Sequence, residues 1–396
     1  MSTEMEDPHE SYTFLSISSS HLIFMQLSSF LPLKNKRFTH PLSLLLQLWG
    51  HFVVFASNVF WTGYGIHMVM HGEVEVDFIC EEIVVLDFTA RYILLIVNRE
   101  QLCCLVKSCG RLCSYLEAGE DIFVRQFERK VYYFRNFVII NSLLVSTVFD
   151  VTAYFTRLPA LEANGTERRM LPARFFMDVQ EQPAYVVTFV MQVILDYYLD
   201  FLIASTGAAP FYLIMMACGY LRSLRNRLLN FKGGDYDTSE QGEAALDTVI
   251  GCAHFHQQMM IFCKNIERMT QTLFLFACFC PIYNVSITGI AILNSDEDIL
   301  KFTPLLVYNF IQFFICQWAS EYLAEESEAI AEAAYFASLQ PQVPSHRERI
   351  NRILYFMMMR AQKPVQLTAG GLVNLSIQTF GAMTKSAFSF FMVLRD

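Results

Sequence analysis

Lys385, Ser389, Val393 and Asp396 recur at i, i+4, i+8 and i+11, the spacing of one helical face. A polar stripe ending in valine can line a water-filled path and close it with an apolar constriction. The same spacing also suits a plain bundle helix whose small residues pack closely. The other chemically capable residues do not combine into a catalytic set. The chain has no phosphate-binding glycine loop, no HExxH and no nucleophile elbow. Its grouped carboxylates, Glu81 with Glu82 and Asp296 to Asp298, are neighbours at helix ends or in a loop, whereas catalysis needs titratable groups gathered in a pocket. His254 and His256 stand at i and i+2, which do not share a helical face, so His256 reads as a packed helix residue. Cys103, Cys104, Cys109 and Cys113 lack the tight spacing of a zinc site and suit packing or palmitoylation. The expectation is a protein that is not an enzyme and uses no cofactor or metal.

The elements that position these residues are apolar. The chain has 396 residues, 54% apolar and 14% aromatic, with a mean hydropathy of +0.34. That balance fits a polytopic membrane protein better than a soluble one of this length. The net charge of −9 comes with dispersed basic residues and no basic patch interleaved with aromatics, so nucleic acid is not an expected partner. Glu4, Glu6, Asp7 and Glu10 precede a short, serine-broken apolar patch, and no cleaved signal peptide is expected. Apolar runs predict seven spans: 44–69, 76–97, 131–154, 185 to 213 or beyond, 273–293, 302–318 and 372–394. The second is the weakest, because Glu81, Glu82, Asp87 and Arg91 interrupt it, and charges at membrane depth need partners or water. A soluble helical hairpin is the alternative there.

Lys and Arg concentrate in alternate connecting segments, which predicts a cytoplasmic N-terminus and an extracellular C-terminus. The sequon Asn164-Gly-Thr166 then falls in an outside loop and is the candidate glycosylation site. Asn284 and Asn374 also begin sequons, but within predicted spans. All eleven cysteines fall in spans or inside segments, so no structural disulfide is expected. The inside segments carry helices of their own, over 220–231, 243–270, 320–339 and 347–362, with Pro341, Pro344 and Pro364 as breaks. Gly370-Gly371 reads as a flexible break before the seventh span.

The runs Arg360-Ala-Gln-Lys-Pro364, Leu367-Thr-Ala-Gly-Gly371, Leu375-Ser-Ile-Gln-Thr-Phe380 and Lys385-Ser-Ala-Phe-Ser-Phe-Phe391 closely resemble the C-terminal signature of insect odorant receptors, in order and spacing. Phe388 and Phe390 depart from it, standing where the family usually carries tyrosines. Cys252, four positions before His256, also resembles the family, as do Glu326-Ser327 and Ala334-Tyr335, although Leu339 replaces a usual tryptophan. The resemblance covers spans three to seven reasonably and the N-terminal third weakly. It implies an all-α membrane protein of seven transmembrane helices, whose cytoplasmic helical extensions form an oligomeric anchor. The division it implies is a cytoplasmic segment over 1–43, helices one to six with the ligand-binding bundle over 44–318, anchor helices over 319–371 and a pore-lining helix over 372–396.

The resemblance further implies a ligand-gated cation channel subunit acting with the shared co-receptor, as a heterotetramer in the plasma membrane of a sensory dendrite. Val393 matches the family's apolar gate and Ser389 a pore-helix hydroxyl, with Lys385 and Asp396 on the same face. A small volatile ligand needs an apolar cavity with a few orienting polar groups. The resemblance puts that cavity among spans two, three, four and six, where the candidates are Phe78, Ser146, Phe149, Tyr154, Phe189, Gln192, Tyr308 and Gln312. The alternatives are a G-protein-coupled chemoreceptor, which requires the opposite orientation, and a gustatory channel, whose closing Gln-Phe pattern is absent after Ser389.

Overall fold

The computed structural model describes residues 20–28, 30, 41–71, 76–155, 157–158, 168–169, 183–233, 239–294 and 298–395. A short helix α1 over 20–27 is followed by α2 (Pro41–His71), α3 (Val76–Val97), α4 (Arg99–Cys113) and α5 (Asp121–Phe155). Strands β1 (Arg157–Leu158) and β2 (Arg168–Arg169) pair antiparallel. Then come α6 (Ala184–Leu229), α7 (Ser239–Asn294), α8 (Asp298–Ser338) and α9 (Pro344–Ala361). A hairpin of β3 (Thr368–Ala369) and β4 (Val373–Asn374) leads into α10 (Ile377–Arg395). Six of the seven predicted spans lie on helices α2, α3, α5, α6, α7 and α8, and the seventh overlaps α10 from Ile377 onward.

Four described helices are long and apolar enough to cross a membrane by length and composition alone: α2, α5, α6 and α7. The other three are weaker for physical reasons. In α3 the charges that interrupt the apolar run are partly matched within it, since Arg91 pairs with Asp87 one turn away. Asp87 is buried and Arg91 largely so, which is where a charge in such a helix must go. In α10 small and hydroxylated residues dilute the hydropathy.

The spans do not stop where their apolar runs stop. α6, α7 and α8 continue without a break through the segments read separately as 220–231, 243–270 and 320–339. Pro210, Pro281 and Pro304 lie inside these helices without ending them, because neighbouring helices in a bundle support the freed backbone. α5 packs along α6, α6 against α8, and α8 along both α7 and α9, while α10 rests on α7 and α8.

Beyond the apolar runs, Glu120 ties the elements together. Its carboxylate accepts from Arg227 Nε at 3.1 Å and Nη2 at 2.5 Å, from the Ser223 hydroxyl at 2.8 Å and from the Glu117 N–H at 3.0 Å. Burial opposes its charge, but these donors outweigh it and hold the carboxyl below its ordinary range. His254 is exposed while His256 is buried, as their spacing predicts. Burial, and then the Arg360 charge, lower the His256 pKa to about 4, so it packs as a neutral ring.

Candidate functional site

Among the described residues, a cavity among α2, α3, α5, α6 and α8 and the face that α10 leaves uncovered are features that could act. The cavity, of about 120 Å³, opens among α2, α3, α5, α6 and α8. On α5, Ser142, Ser146, Phe149 and Asp150 all line it, because steps of three and four residues return to one helical face. α6 supplies Asp196, Asp200 and Ile203, α8 supplies Leu305 and Tyr308, and α2 supplies Trp61. The Ser142 hydroxyl donates to Asp200 Oδ1 at 2.5 Å. Phe149 meets Phe302 edge to face, with centroids 5.7 Å apart.

Of the candidates read from the sequence, Ser146, Phe149 and Tyr308 line this cavity. Gln312 stands one turn from Tyr308 and donates to its hydroxyl at 2.8 Å, but lines a smaller neighbouring void with Arg91. Tyr154, Phe189 and Gln192 lie elsewhere. Tyr154 and Phe189 form a ring pair with centroids 5.8 Å apart, and Gln192 is buried away from the cavity. Phe78 falls on α3, but its side chain lies outside the described residues. Asn164 and Asp396 also lie outside them. The sequence reading missed Trp61, Asp150, Asp196 and Asp200. The signal was present for the aspartates, since an ionisable residue inside a predicted span marks a functional site by default.

The second feature begins at the hairpin. Gly370 and Gly371 take φ of +63° and +72°, left-handed conformations at both turn positions that suit glycine. Gly370 N–H donates to Gln271 O at 2.8 Å, and Thr368 N–H donates to the Glu267 carboxylate at 3.0 Å. The predicted flexible break is therefore an ordered turn fastened to α7, and the helix starts at Ile377 rather than at 372. Asn374, read as part of the span, belongs to this hairpin, whereas Asn284 is buried in α7.

The first N–H groups of α10 lack intrahelical partners. Ser376 Oγ accepts from Thr379 N–H at 3.1 Å, and Glu321 of α8 accepts from Ile377 N–H at 3.2 Å. Gln317 of α8 accepts from Ser376 N–H at 2.9 Å. Phe380 sits among Phe310, Phe313 and Phe314. Farther along, the Ser286 hydroxyl donates to Ala387 O at 2.9 Å. A methyl group placed on Gly289 would lie 3.2 Å from the Phe391 ring. Ala387 and Phe391 thus face α7, while Lys385, Ser389 and Val393 are exposed on the other side, Val393 by 73%.

The model of the 7tm Odorant receptor family matches residues 83–388. Odorant receptor 10 of Aedes albopictus is 25% identical over 266 residues, 64% of each chain. Odorant receptor Or2 of Anopheles gambiae is 23% identical over 226 residues, 55% of this chain and 58% of that one. The chain thus spans less than two thirds of the length of either relative. The solved insect olfactory receptor OR5 from Machilis hrabei superposes with a TM-score of 0.74 over 95% of this chain and 96% of that one, at 14% identity. The same receptor in complex with eugenol superposes with a TM-score of 0.71. This likeness gives the chain the seven-helix fold of those receptors.

Proposed function

The chain belongs to the insect odorant receptor family, a family of membrane receptors rather than enzymes, and from that premise we propose that it is a ligand-specific odorant receptor subunit. In this reading a small volatile ligand binds in the cavity among α3, α5, α6 and α8. Binding favours the arrangement in which the α10 helices of the assembly splay apart. The apolar ring at Val393 then widens, wets and passes cations. Lys385 and Ser389 line the path below it, and Asp396 stands at the mouth.

The observation that carries the reading is the two-sidedness of α10: one face is fixed to α7 and α8 and the other has no cover among the described residues. A polar face with a terminal valine has little reason to meet lipid, and facing copies of itself gives it water. Partners are supported separately by exposed Tyr335, Phe336, Leu339, Tyr355 and Phe356 on and just beyond α8 and on α9, where apolar exposure in one region marks an interface. The proposed partner is the odorant receptor co-receptor in a heterotetramer at the plasma membrane of a sensory dendrite. The N-terminus is then cytoplasmic and the C-terminus outside, with segments 1–43, 44–318, 319–371 and 372–396 as entry segment, ligand bundle, anchor and pore helix. Asn164 then lies outside as a glycosylation site.

The test is whole-cell current from cells that co-express the chain with the co-receptor, with G-protein signalling blocked. An odorant-evoked cation current whose ion permeability shifts on Val393→Ala supports the proposal. Responses seen only with intact G-protein signalling overturn it.

A further inference from the structure

The cavity between the helices is unusual in what it holds. Asp150, Asp196 and Asp200 all line it, and no Lys or Arg does among its lining residues. Asp150 and Asp200 are each 6% exposed. Among the described residues their Oδ2 atoms have no hydrogen-bond partner. Asp200 uses its other oxygen for the Ser142 hydroxyl. Arg91, the basic side chain of the adjoining void, lines that void rather than this cavity and pairs through Nη2 with Asp87 on its own helix. A buried carboxylate without a cation or sufficient donors is costly, and more so inside a membrane bundle. Two of them on one cavity wall leave a site that lacks a positively charged donor.

Resting on the reading of this cavity as the ligand site, we infer that its ligand class is a small apolar amine, bound in its protonated form. The ammonium donates to Asp150 Oδ2 and Asp200 Oδ2, and charge-assisted bonds are the stronger kind. Trp61 and Phe149 line the same cavity and offer aromatic faces to the cation. Val84, Val85 and Leu305 receive the hydrocarbon part. The cavity volume of about 120 Å³ is close to that of the roughly 150 Å³ cavity that holds benzene. A ligand of about six to eight heavy atoms therefore fits. Neutral esters and alcohols of the same shape satisfy the walls but leave the carboxylates without a countercharge.

The test compares isopentylamine with 3-methylbutan-1-ol, two ligands of one shape, by quenching of tryptophan fluorescence in the purified full chain. Trp61 is one of three tryptophans, and loss of the signal in Trp61→Phe assigns it to this cavity. The amine should bind roughly tenfold or more tightly than the alcohol. Asp150→Asn or Asp200→Asn should lower amine affinity by about the same factor and leave the alcohol unchanged. Equal affinities in the unmodified chain, or binding of neither ligand, overturn the inference without any variant having to fold. A preference that survives both substitutions overturns it as well. Amine binding without evoked current in the co-expressed pair leaves the ligand class standing and counts against the channel reading. Current evoked only by neutral odorants does the reverse.

Discussion

The hairpin before α10 allows a prediction whose size follows from its geometry. Gly370 and Gly371 both have positive φ, a region that costs an ordinary L-residue about 1–2 kcal/mol. Alanine at 371 meets nothing within 4 Å, so Gly371→Ala should cost that conformational term and no more. Alanine at 370 would place its methyl 3.0 Å from Leu275 Cδ1 and press on a turn held by the Gly370 N–H to Gln271 O bond. Gly370→Ala therefore adds a packing term to the same conformational one. A change of 1–2 kcal/mol alters an opening equilibrium by a factor of about 5–30. Hydrogen exchange over residues 367–375 reads this directly, because Leu375 N–H is held by Leu367 O at 2.9 Å across the hairpin. Exchange should accelerate by that factor in Gly371→Ala and by more in Gly370→Ala. Gly371→Asn should lie nearest the parent, because asparagine tolerates the left-handed region. Equal exchange in all three variants and the parent would show that the turn does not fasten this segment.

Three further outcomes are expected. Because the folded-state pKa of Glu120 is depressed, its contribution to stability is full above the ordinary glutamate pKa of about 4.3 and disappears as pH falls through and below it. Thermal melting of the detergent-solubilised protein should therefore drop with acidification in that window, and Glu120→Gln should melt lower at pH 7 with a flatter acid limb; an unchanged limb would contradict this. Gly289→Val should push the Phe391 ring from α7 and alter unstimulated current, with ligand affinity kept, as fluorescence titration beside patch-clamp recording would show. Gln317→Leu removes the acceptor of Ser376 N–H and the Cys278 contact together, and should destabilise the fold by about 1–3 kcal/mol for the Ser376 N–H left unsatisfied, read as a lower melting temperature.

The sequence carried the helical scaffold and part of the site. Long apolar runs gave the seven helices their positions, since few other segments satisfy the length a membrane demands. The continuation of α6, α7 and α8 past those runs was hidden. Residues such as Arg222 and Glu326 lower the hydropathy there, yet they pair with one another across α6 and α8 and leave the helix intact. Gly370-Gly371 looked like a break because flexible linkers and tight turns use the same residue. The bond from Gly370 to Gln271, about a hundred positions away, decides between them. Ser146, Phe149 and Tyr308 line one cavity, as expected of orienting polar and aromatic residues on the helices that the family resemblance pointed to. Asp150 and Asp200 line the same cavity, and charge inside a span is the sequence signal that points to them. Tyr154 and Gln192 do not line this cavity, a distinction that needs the rotation of each helix about its axis.

Accessibility along α10 during odorant-evoked current tests the account most directly. Cysteines placed singly at Lys385, Ser389, Val393 and Phe391 would be exposed to a water-soluble, positively charged thiol reagent, beside the parent chain with its native cysteines. Modification at 385, 389 and 393 should block the current, and modification at 391, which faces Gly289 of α7, should not. Block at 391 with no effect at 389 and 393 would contradict the assignment of this face of α10 to the pore.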